Sequence, residues 1–537
     1  MSAPSLTASW THLVALIVRR DRWSLPVWIV AALAFSVGMV PMLPSIAGTP
    51  EALAASGLMM QNPALIAMCG IVYQTPPTMG SMYAQMMLVW SAMLVAIMNI
   101  LIVVRHTRTD EDEGRLEVIR SLPAGRVSSL AAITVVIFGV DVALALLTGL
   151  SMTAFSVDSI DLAGSMVYGA ALGACGFLFA MIALVAIQLT ESARTATAGA
   201  LTLVGALYVM RAYGDMSSET IAKLSPFGLI QRIYAFDTNR WWPVVVLVGA
   251  AVVALILAIS GNAHREPGQS LLPPLRQGRA HASRWLANEW GLAWRLSRPT
   301  MLAWGLTAFV VAAAYGTVMN NMESYVLSNS VYQQMTGVDP SSGDDVTGAV
   351  VGMLMIIMAS LGVIPVLSTT NRLVGEEREG RMDYVLGRTV SRTSQYVAYG
   401  TLAVAAAAGM QLLTATGFWM VASAVMTHPV KASLVFGIAG NYLAGMLGFA
   451  GLGLCLAGAA KRFSWIGWGY LAVTFVVVYL GGVMNVPRWA QRLTPLGLLQ
   501  RYPTEEFSWW PWIALVIAAW VLALLGLTSY HSRDVTS

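Results

Sequence analysis

Hydrophobic residues in this chain come in long unbroken runs rather than in alternation with polar residues. Runs of about 20 apolar residues, the length that crosses a bilayer as an α-helix, recur from one end to the other. A membrane β-barrel would need strands of about ten residues with alternating polarity, which the sequence lacks. The pattern predicts about twelve membrane-spanning helices, at 25–44, 82–104, 128–154, 161–188, 194–213, 242–260, 300–319, 347–369, 395–426, 431–458, 464–484 and 510–530.

The composition agrees with this pattern. Hydrophobic residues make up 57% of the chain, charged residues 11%, and the mean hydropathy is +0.67. Soluble proteins carry about 25% charged residues. We therefore expect an all-α integral membrane protein. Because most lysines and arginines fall in the connections on the same side of the membrane as the N-terminus, the positive-inside rule predicts a multi-pass protein with both termini in the cytoplasm. The net charge of +4 then reports orientation, and no nucleic-acid partner is expected.

Residues that could carry out bond chemistry are sparse. The cysteines Cys69, Cys175 and Cys455 are isolated, with no C-x-x-C pair that would indicate a metal or redox site. No cluster of His, Asp and Glu suggests a metal ligand set, and no nucleophile has an evident base beside it. The sequence thus disfavours an enzyme, and no metal or cofactor is expected on the chain.

Two segments occur twice. Residues 112–117 (D-E-G-R-L-E) return as 378–383 (R-E-G-R-M-D), 266 positions later. Residues 224–232 (L-S-P-F-G-L-I-Q-R) return as 493–501 (L-T-P-L-G-L-L-Q-R), 269 positions later, and W-W-P follows both copies. The chain is therefore predicted to be a tandem duplication. Since each copy has six spans, an even number, the two copies should be parallel repeats.

These repeats predict the domain organisation. We expect a first six-helix half at 1–260, a cytoplasmic linker rich in Pro and Arg at 261–284, and a second six-helix half at 285–537. Each half begins with an amphipathic stretch that ends in arginines, around Trp10 and around Trp290. Such stretches are typical of helices that lie in the membrane interface.

The charged repeat lies between the second and third spans of each half. Leu116, Ile119 and Leu122 give its first copy an apolar edge, and Met382 and Val385 do the same in the second. A short amphipathic helix of mixed charge can dock in a groove of a soluble partner. The alternative is a solvated loop that only satisfies the positive-inside rule, but that rule does not call for the acidic residues.

At these motifs the chain resembles the membrane subunits of ABC-2 type exporters, and within them the fused actinobacterial permeases of tetronasin-type polyketide antibiotics. The coupling pattern E-x-x-x-G is matched by 376–380 and, with Asp first, by 110–114; the Pro-containing outer motif is matched at Ser225-Pro226 and Thr494-Pro495. The resemblance covers the whole chain. It implies an all-α fold of about twelve spans in two tandem parallel six-helix ABC-2 (type V exporter-like) repeats, each with an elbow helix, a coupling helix and a re-entrant outer hairpin.

The resemblance also implies the functional residues. Those expected to contact the ATPase are Glu111, Glu113, Gly114, Arg115, Leu116, Ile119, Glu377, Glu379, Gly380, Arg381, Met382 and Val385. Those expected at the outer gate are Pro226, Gly228, Gln231, Arg232, Pro495, Gly497, Gln500 and Arg501, although an interfacial helix at headgroup level fits these positions equally. Pro226 and Pro495 suit the first turn of a short helix.

Candidate cavity residues lie in the spans. Asp141 falls near the middle of the third span, where an ionisable side chain is a functional candidate. Ala407 occupies the matching position, so a polar contact between helices is the preferred interpretation. Met86, Met93, Met353 and Met358 lie in the second span of each half, and ordinary packing is preferred for each over a cavity wall.

The function implied is that of a permease subunit of an ATP-driven exporter of lipophilic compounds, such as polyketide antibiotics. Its three lysines, Lys223, Lys431 and Lys461, do not follow glycine, so the chain has no phosphate-binding P-loop. ATP and Mg²⁺ are therefore expected on two copies of a separate ABC ATPase. The alternatives are a lipid or glycolipid exporter and a twelve-helix proton-coupled drug transporter; the latter should carry more buried carboxylates than Asp141 alone.

Overall fold

The structure is a computed structural model. It describes residues 9–115, 125, 127–265, 269–272, 281, 286, 288–328, 346–378, 380–382, 390–426, 429–459, 463–479, 481, 484 and 486–532. Within these ranges the regular structure is helical throughout, without strands. The all-α prediction is therefore confirmed.

The first repeat begins with a short amphipathic helix and continues with the membrane helices. Its helices are α1 (Trp10–Arg20), α2 (Ser24–Val37), α3 (Leu43–Ala47), α4 (Pro50–Met60), α5 (Pro63–Cys69), α6 (Met79–Val104), α7 (Asp110–Asp112), α8 (Ser128–Ala154), α9 (Leu162–Leu189), α10 (Ala193–Ser217), α11 (Glu219–Lys223), α12 (Pro226–Gln231) and α13 (Trp242–His264).

The second repeat has fewer short helices among the residues described. Its helices are α14 (Glu289–Ser328), α15 (Val346–Arg378), α16 (Arg392–Val425), α17 (Ala432–Ala459), α18 (Ile466–Tyr479), α19 (Arg488–Gln491) and α20 (Trp509–Ser532). By contact the chain divides into two compact units, Met1–Gly278 and Arg279–Ser537.

Eleven of the described helical segments are long and apolar enough to cross a membrane, and the first of them, Ser24–Ala47, runs from the start of α2 to the end of α3. The span expected at 464–484 differs from the prediction. Its place is taken by α18, which has 14 residues and is therefore about 21 Å long, shorter than the hydrocarbon core of about 30 Å.

The first span ends in the short helix α3, and two more short helices that the hydrophobic pattern did not predict, α4 and α5, lie between it and α6. Proline lies in the first turn of α3 and α4, and α5 also begins at a proline. Proline suits this position because the first helical N–H groups have no intrahelical acceptor. Short helices of this kind contribute too few residues to produce a membrane-length hydrophobic signal.

Each unit is built around its second and fourth spans. In the first unit α9 packs against α6, α8, α10 and α13, and in the second α17 packs against α15, α16 and α20. These central helices bury most of their surface, whereas α13 and α20 keep most of theirs exposed. The repeats therefore place the charged motifs at the ends of a buried helix, α6 in one unit and α15 in the other.

Candidate functional sites

The first charged motif continues directly from α6. The helix widens into a π-turn at Arg105–Thr109 and ends in α7. Gly114 then has a φ of +72°, and a Cβ there would meet no atom within 4 Å, so glycine is required for the backbone conformation and not for space. The turn brings Arg115 Nε to 2.8 Å from Asp110 Oδ1.

The second charged motif adopts the same arrangement. Gly380 has a φ of +65° with no atom within 4 Å of a Cβ, and Arg381 Nε donates to Glu376 Oε2 at 2.7 Å. Its second hydrogen bond to Glu376 is 2.8 Å long. These bonds raise the pKa of the Arg381 guanidinium. We call residues 110–115 and 376–381 the two glycine turns. In both, an arginine returns to a carboxylate five positions earlier.

The residues predicted to face a partner divide into exposed and buried groups. The side chains of Glu113 and Arg115 are 50% and 45% exposed and pair with each other, and Arg381 is 44% exposed. Glu111 and Glu377 are instead largely buried. Met382 is also buried, with its Sδ 3.9 Å from the Tyr530 hydroxyl. The predicted contacts Leu116, Ile119, Glu379 and Val385 lie outside the described residues.

Two buried arginines attach the first glycine turn to neighbouring helices. Arg108 lies 3.0 Å from Glu111 and donates to the Glu191 carbonyl at 2.5 Å, between α9 and α10. Arg265, just after α13, donates to Glu111 Oε2 at 2.7 Å and to the Gln269 carbonyl at 3.0 Å. Glu111 therefore joins the charged turn to the end of the last span of the repeat.

Two further contacts extend this network. Asp112 Oδ2 accepts a hydrogen bond of 2.8 Å from the backbone N–H of Ala193, the first residue of α10. A carboxylate at this position stabilises the start of a helix. On the other side, Arg20 of α1 donates to both oxygens of Asp110 at 2.9 Å, which raises the pKa of Arg20. The first glycine turn is thus joined to α1, α10 and α13 together.

A buried hydrogen bond between His106 and Asp21 lies beside this network. His106 Nε2 is 2.6 Å from Asp21 Oδ2, and both side chains are 1% exposed. Arg105 is 3.2 Å from the other oxygen of Asp21. Asp21, the residue after α1, is therefore fixed to the π-turn by two contacts. These contacts hold α1 and the end of α6 together.

At the opposite end of the spans, the outer motif of the first repeat forms α12. Ser225 caps this helix by accepting from the Phe227 N–H at 3.2 Å, and Gln231 Nε2 donates to the Cys69 carbonyl at 2.8 Å. A Cβ on Gly228 would lie 1.9 Å from the Ala222 carbonyl oxygen, so only glycine permits this approach. The prediction of a short helix starting at Pro226 is confirmed.

The second outer motif keeps the same close approach without the helix. A Cβ on Gly497 would lie 2.2 Å from the Gln491 carbonyl oxygen, the position equivalent to Ala222. Residues 492–500 nevertheless form turns, so the short helix predicted at Pro495 is wrong. The Gln500 carbonyl accepts a hydrogen bond of 2.9 Å from Asn441 Nδ2, and Gln500 Nε2 donates to the Ser508 carbonyl at 3.4 Å. Gln500 is thus held by α17 and by the residue before α20, whereas Gln231 of the first motif is held by the end of α5.

The arginines of the two motifs have different surroundings. Arg232 is 3% exposed and lies 3.4 Å from Asp215, which also pairs with Arg211 at 3.3 Å. Arg501 is half-buried and donates to the neutral side-chain oxygen of Gln491 at 3.1 Å. The residue 269 positions after Asp215 is Met484. The first arginine is thus enclosed in an ion cluster, whereas the second lines a cleft of about 300 Å³.

Asp141 forms a hydrogen-bonded contact between two helices. Asn99 Nδ2 of α6 donates to its two carboxylate oxygens at 2.9 and 3.0 Å, and Asp141 is 3% exposed. The second repeat has Pro365 and Ala407 at the corresponding positions, so it lacks this pair. The geometry agrees with the interhelical contact preferred from the sequence.

The four methionines do not converge on one site. Met86 and Met93 are half-buried against the core of the first unit, whereas Met353 and Met358 are buried in the second. Met353 lines a small cavity of about 20 Å³ together with Arg501. The structure therefore brings one predicted cavity residue close to one predicted gate residue.

Comparison with known proteins shows the family to which the chain belongs. The family described as multidrug efflux system permease Rv1217c, C-terminal domain, matches residues 11–261 and 286–531. The multidrug efflux system permease protein Rv1217c of Mycobacterium tuberculosis (strain ATCC 25618 / H37Rv) is 30% identical over 539 residues, which cover 97% of this chain and 94% of that protein. The chain belongs to this family of multidrug efflux permeases.

Several residues that organise these sites in the permease escaped the sequence analysis. Arg108 and Arg265 were read only as positive-inside charges, and Asp215 received no role. Repetition did not reveal Arg108 because Val374 occupies its place in the second repeat. The one available signal was position, since Arg108 stands only a few residues beyond a strongly apolar span.

Proposed function

We propose that this permease is the membrane subunit of an ATP-driven ABC-2 type exporter of lipophilic compounds in the bacterial plasma membrane. The observation that carries the proposal is the pair of glycine turns, one at the same position in each repeat. Repeated exposed turns at the ends of buried helices suit docking of two identical partners. We therefore propose two copies of an ABC ATPase, which would hold the ATP and Mg²⁺ that this chain has no P-loop to bind.

The contacts of the first glycine turn support a route for the movement. Its carboxylates Asp110, Glu111 and Asp112 bond to α1, to Arg265 at the end of α13 and to the start of α10. The Glu111–Arg265 pair is buried, and removing one partner of a buried ion pair costs several kcal/mol, so the turn and the end of α13 should move together. A push by an ATPase on this turn would then tilt three helices as a rigid body.

The proposed substrates are lipophilic drugs, such as polyketide antibiotics, with lipids as the alternative class. The relative from Mycobacterium tuberculosis is described as a multidrug efflux permease. A groove of about 410 Å³ on the second unit, between α16, α17 and α20, supports this class because its lining is almost entirely apolar, with Val404, Gly451 and Trp520 among the lining residues. Such a groove accepts many hydrophobic shapes.

The test is purification of the tagged chain from membranes of its own host. We expect a P-loop ATPase to copurify, and native mass spectrometry should give two copies of it per permease chain. ATP hydrolysis should be absent from the chain alone and appear with the partner. Drug efflux by the isolated chain in proteoliposomes, driven by a proton gradient without ATP, would contradict the proposal.

A further inference from the structure

The cleft beside the second outer motif has an unusual charge for a membrane protein surface. It lies where the residues 488–501 meet the first turn of α20. Arg488, Arg492 and Arg501 line it, against a single acidic residue, Glu505. Arg488 and Glu505 pair at 2.9 Å, and Arg492 is exposed and has no salt bridge with any residue that the structure describes. The lining therefore has an excess of positive charge.

The other wall of the cleft is apolar and continues into the membrane. Trp510 and Pro511 belong to this wall. Trp510 begins an exposed stripe along α20, and the following members are Ile513, Ile517, Trp520 and Leu524. The spacing of three and four residues keeps these side chains on one helix face. Tryptophan at the end of a span typically lies at headgroup level. The arginines are thus at the depth of lipid phosphates, above a surface for acyl chains.

Two carboxylates that lie near the arginine of the first outer motif have no acidic counterpart at the equivalent positions of the second repeat. Arg232 corresponds to Arg501, and its partner Asp215 corresponds to Met484, which is 58% exposed. Glu219, which lies 3.7 Å from Arg232, corresponds to Arg488. Two acidic positions have thus become one neutral and one basic position. A charge that the first repeat neutralises with its own side chains is left in the second for another anion.

We propose that this cleft binds the phosphate of an anionic phospholipid, with the acyl chains lying along the exposed stripe of α20. Arginine suits phosphate because its planar guanidinium donates two parallel hydrogen bonds. The excess positive charge favours a lipid with a net negative headgroup over a zwitterionic one. The apolar stripe favours a lipid over free phosphate. This site is independent of the proposed ATPase coupling, since lipid binding is a property of the chain alone.

The experiment is native mass spectrometry of the purified full chain titrated with dioleoyl phosphatidylglycerol. We expect the Arg488→Gln/Arg492→Gln double variant to bind at least tenfold more weakly than the unaltered chain. The matched control is Lys223→Gln, because Lys223 holds the position of Arg492 in the first repeat and is also exposed; it should bind as the unaltered chain does. Dioleoyl phosphatidylcholine should bind more weakly than phosphatidylglycerol to the unaltered chain.

Three results would overturn the proposal: equal binding by the double variant and the control, equal binding of the two lipids, or displacement of phosphatidylglycerol by inorganic phosphate at the concentrations at which the lipid itself binds. The last result would identify a site for free anions. The altered side chains are exposed, so thermal unfolding in detergent should be unchanged. If the double variant fails to fold, Arg492→Gln alone should still weaken phosphatidylglycerol binding relative to Lys223→Gln, and equal binding would again contradict the site.

Discussion

Arg381 donates two hydrogen bonds to Glu376, five residues earlier, across a glycine in the left-handed conformation. The first repeat reproduces this relationship with Arg115 and Asp110, although the carboxylate has changed from Glu to Asp. The repeated feature is therefore the shape of the turn and not a particular acid. This argues that the backbone conformation at the glycine is what both repeats require.

Alanine at the two turn glycines should impair the permease without disrupting its packing. A left-handed conformation costs an L-residue about 1–2 kcal/mol, whereas the space around Gly114 and Gly380 is open. We expect Gly114→Ala/Gly380→Ala to shift the turns, to weaken recovery of the ATPase partner and to lower transport. Gly139→Ala is the matched control, since Gly139 lies inside α8 and also has open space. Equal partner recovery and transport in both variants would show that the turn conformation is not needed.

Removal of Arg108 should destabilise the first repeat. Arg108→Gln removes the buried cation that lies 3.0 Å from Glu111 and leaves the Glu191 carbonyl without its donor, and loss of one member of a buried ion pair typically costs about 3–5 kcal/mol. We expect a clear decrease in the melting temperature of the purified chain. Arg194→Gln alters an exposed arginine nearby and should leave the melting temperature unchanged. A decrease in melting temperature of similar size in both variants would show that the contacts of Arg108 do not stabilise the first repeat.

Much of the architecture was predictable because it depends on short-range patterns. Apolar runs located eleven spans, and the repeat located the glycine turns through Gly114 and Gly380. The partners of Arg108 and Arg265 were not predictable, because they are set by how the ends of separate helices come together. Polar contacts between residues more than 80 positions apart, such as Asp21 with His106, have no local sequence signal.

The ion cluster around Asp215 should be essential for the fold of the first outer hairpin. Asp215→Asn would leave Arg211 and Arg232, which are 0% and 3% exposed at the side chain, without their shared carboxylate. We expect the free energy of unfolding to decrease by about 3 kcal/mol or more, because the substitution leaves the buried arginines without a counter-charge. The decrease can be measured by chemical or thermal unfolding. Glu219→Gln is the control, because Glu219 is exposed and its lowered pKa reflects its pairing with Lys223. A stable Asp215→Asn variant would mean that the arginines are satisfied by the carbonyls of Ile66, Met68 and Gly228 alone.

Asp141→Asn should leave both stability and transport nearly unchanged. Asn99 Nδ2 already donates to the two oxygens of Asp141, while Asn99 Oδ1 has no hydrogen-bond partner in the described part of the chain. An amide at position 141 can accept from Asn99 through its oxygen and donate to the unused Oδ1 through its nitrogen, so the interhelical contact survives without a buried charge. Asp141→Ala removes the contact and leaves the Asn99 amide unsatisfied, which should cost about 1–3 kcal/mol.

The measurement is drug transport and thermal unfolding of the unaltered chain, Asp141→Asn and Asp141→Ala in the same membranes. If Asp141→Asn assembles normally and yet transport is lost, the interhelical interpretation is wrong: the carboxylate itself must carry a proton or bind a cationic substrate, and the proton-coupled alternative is revived.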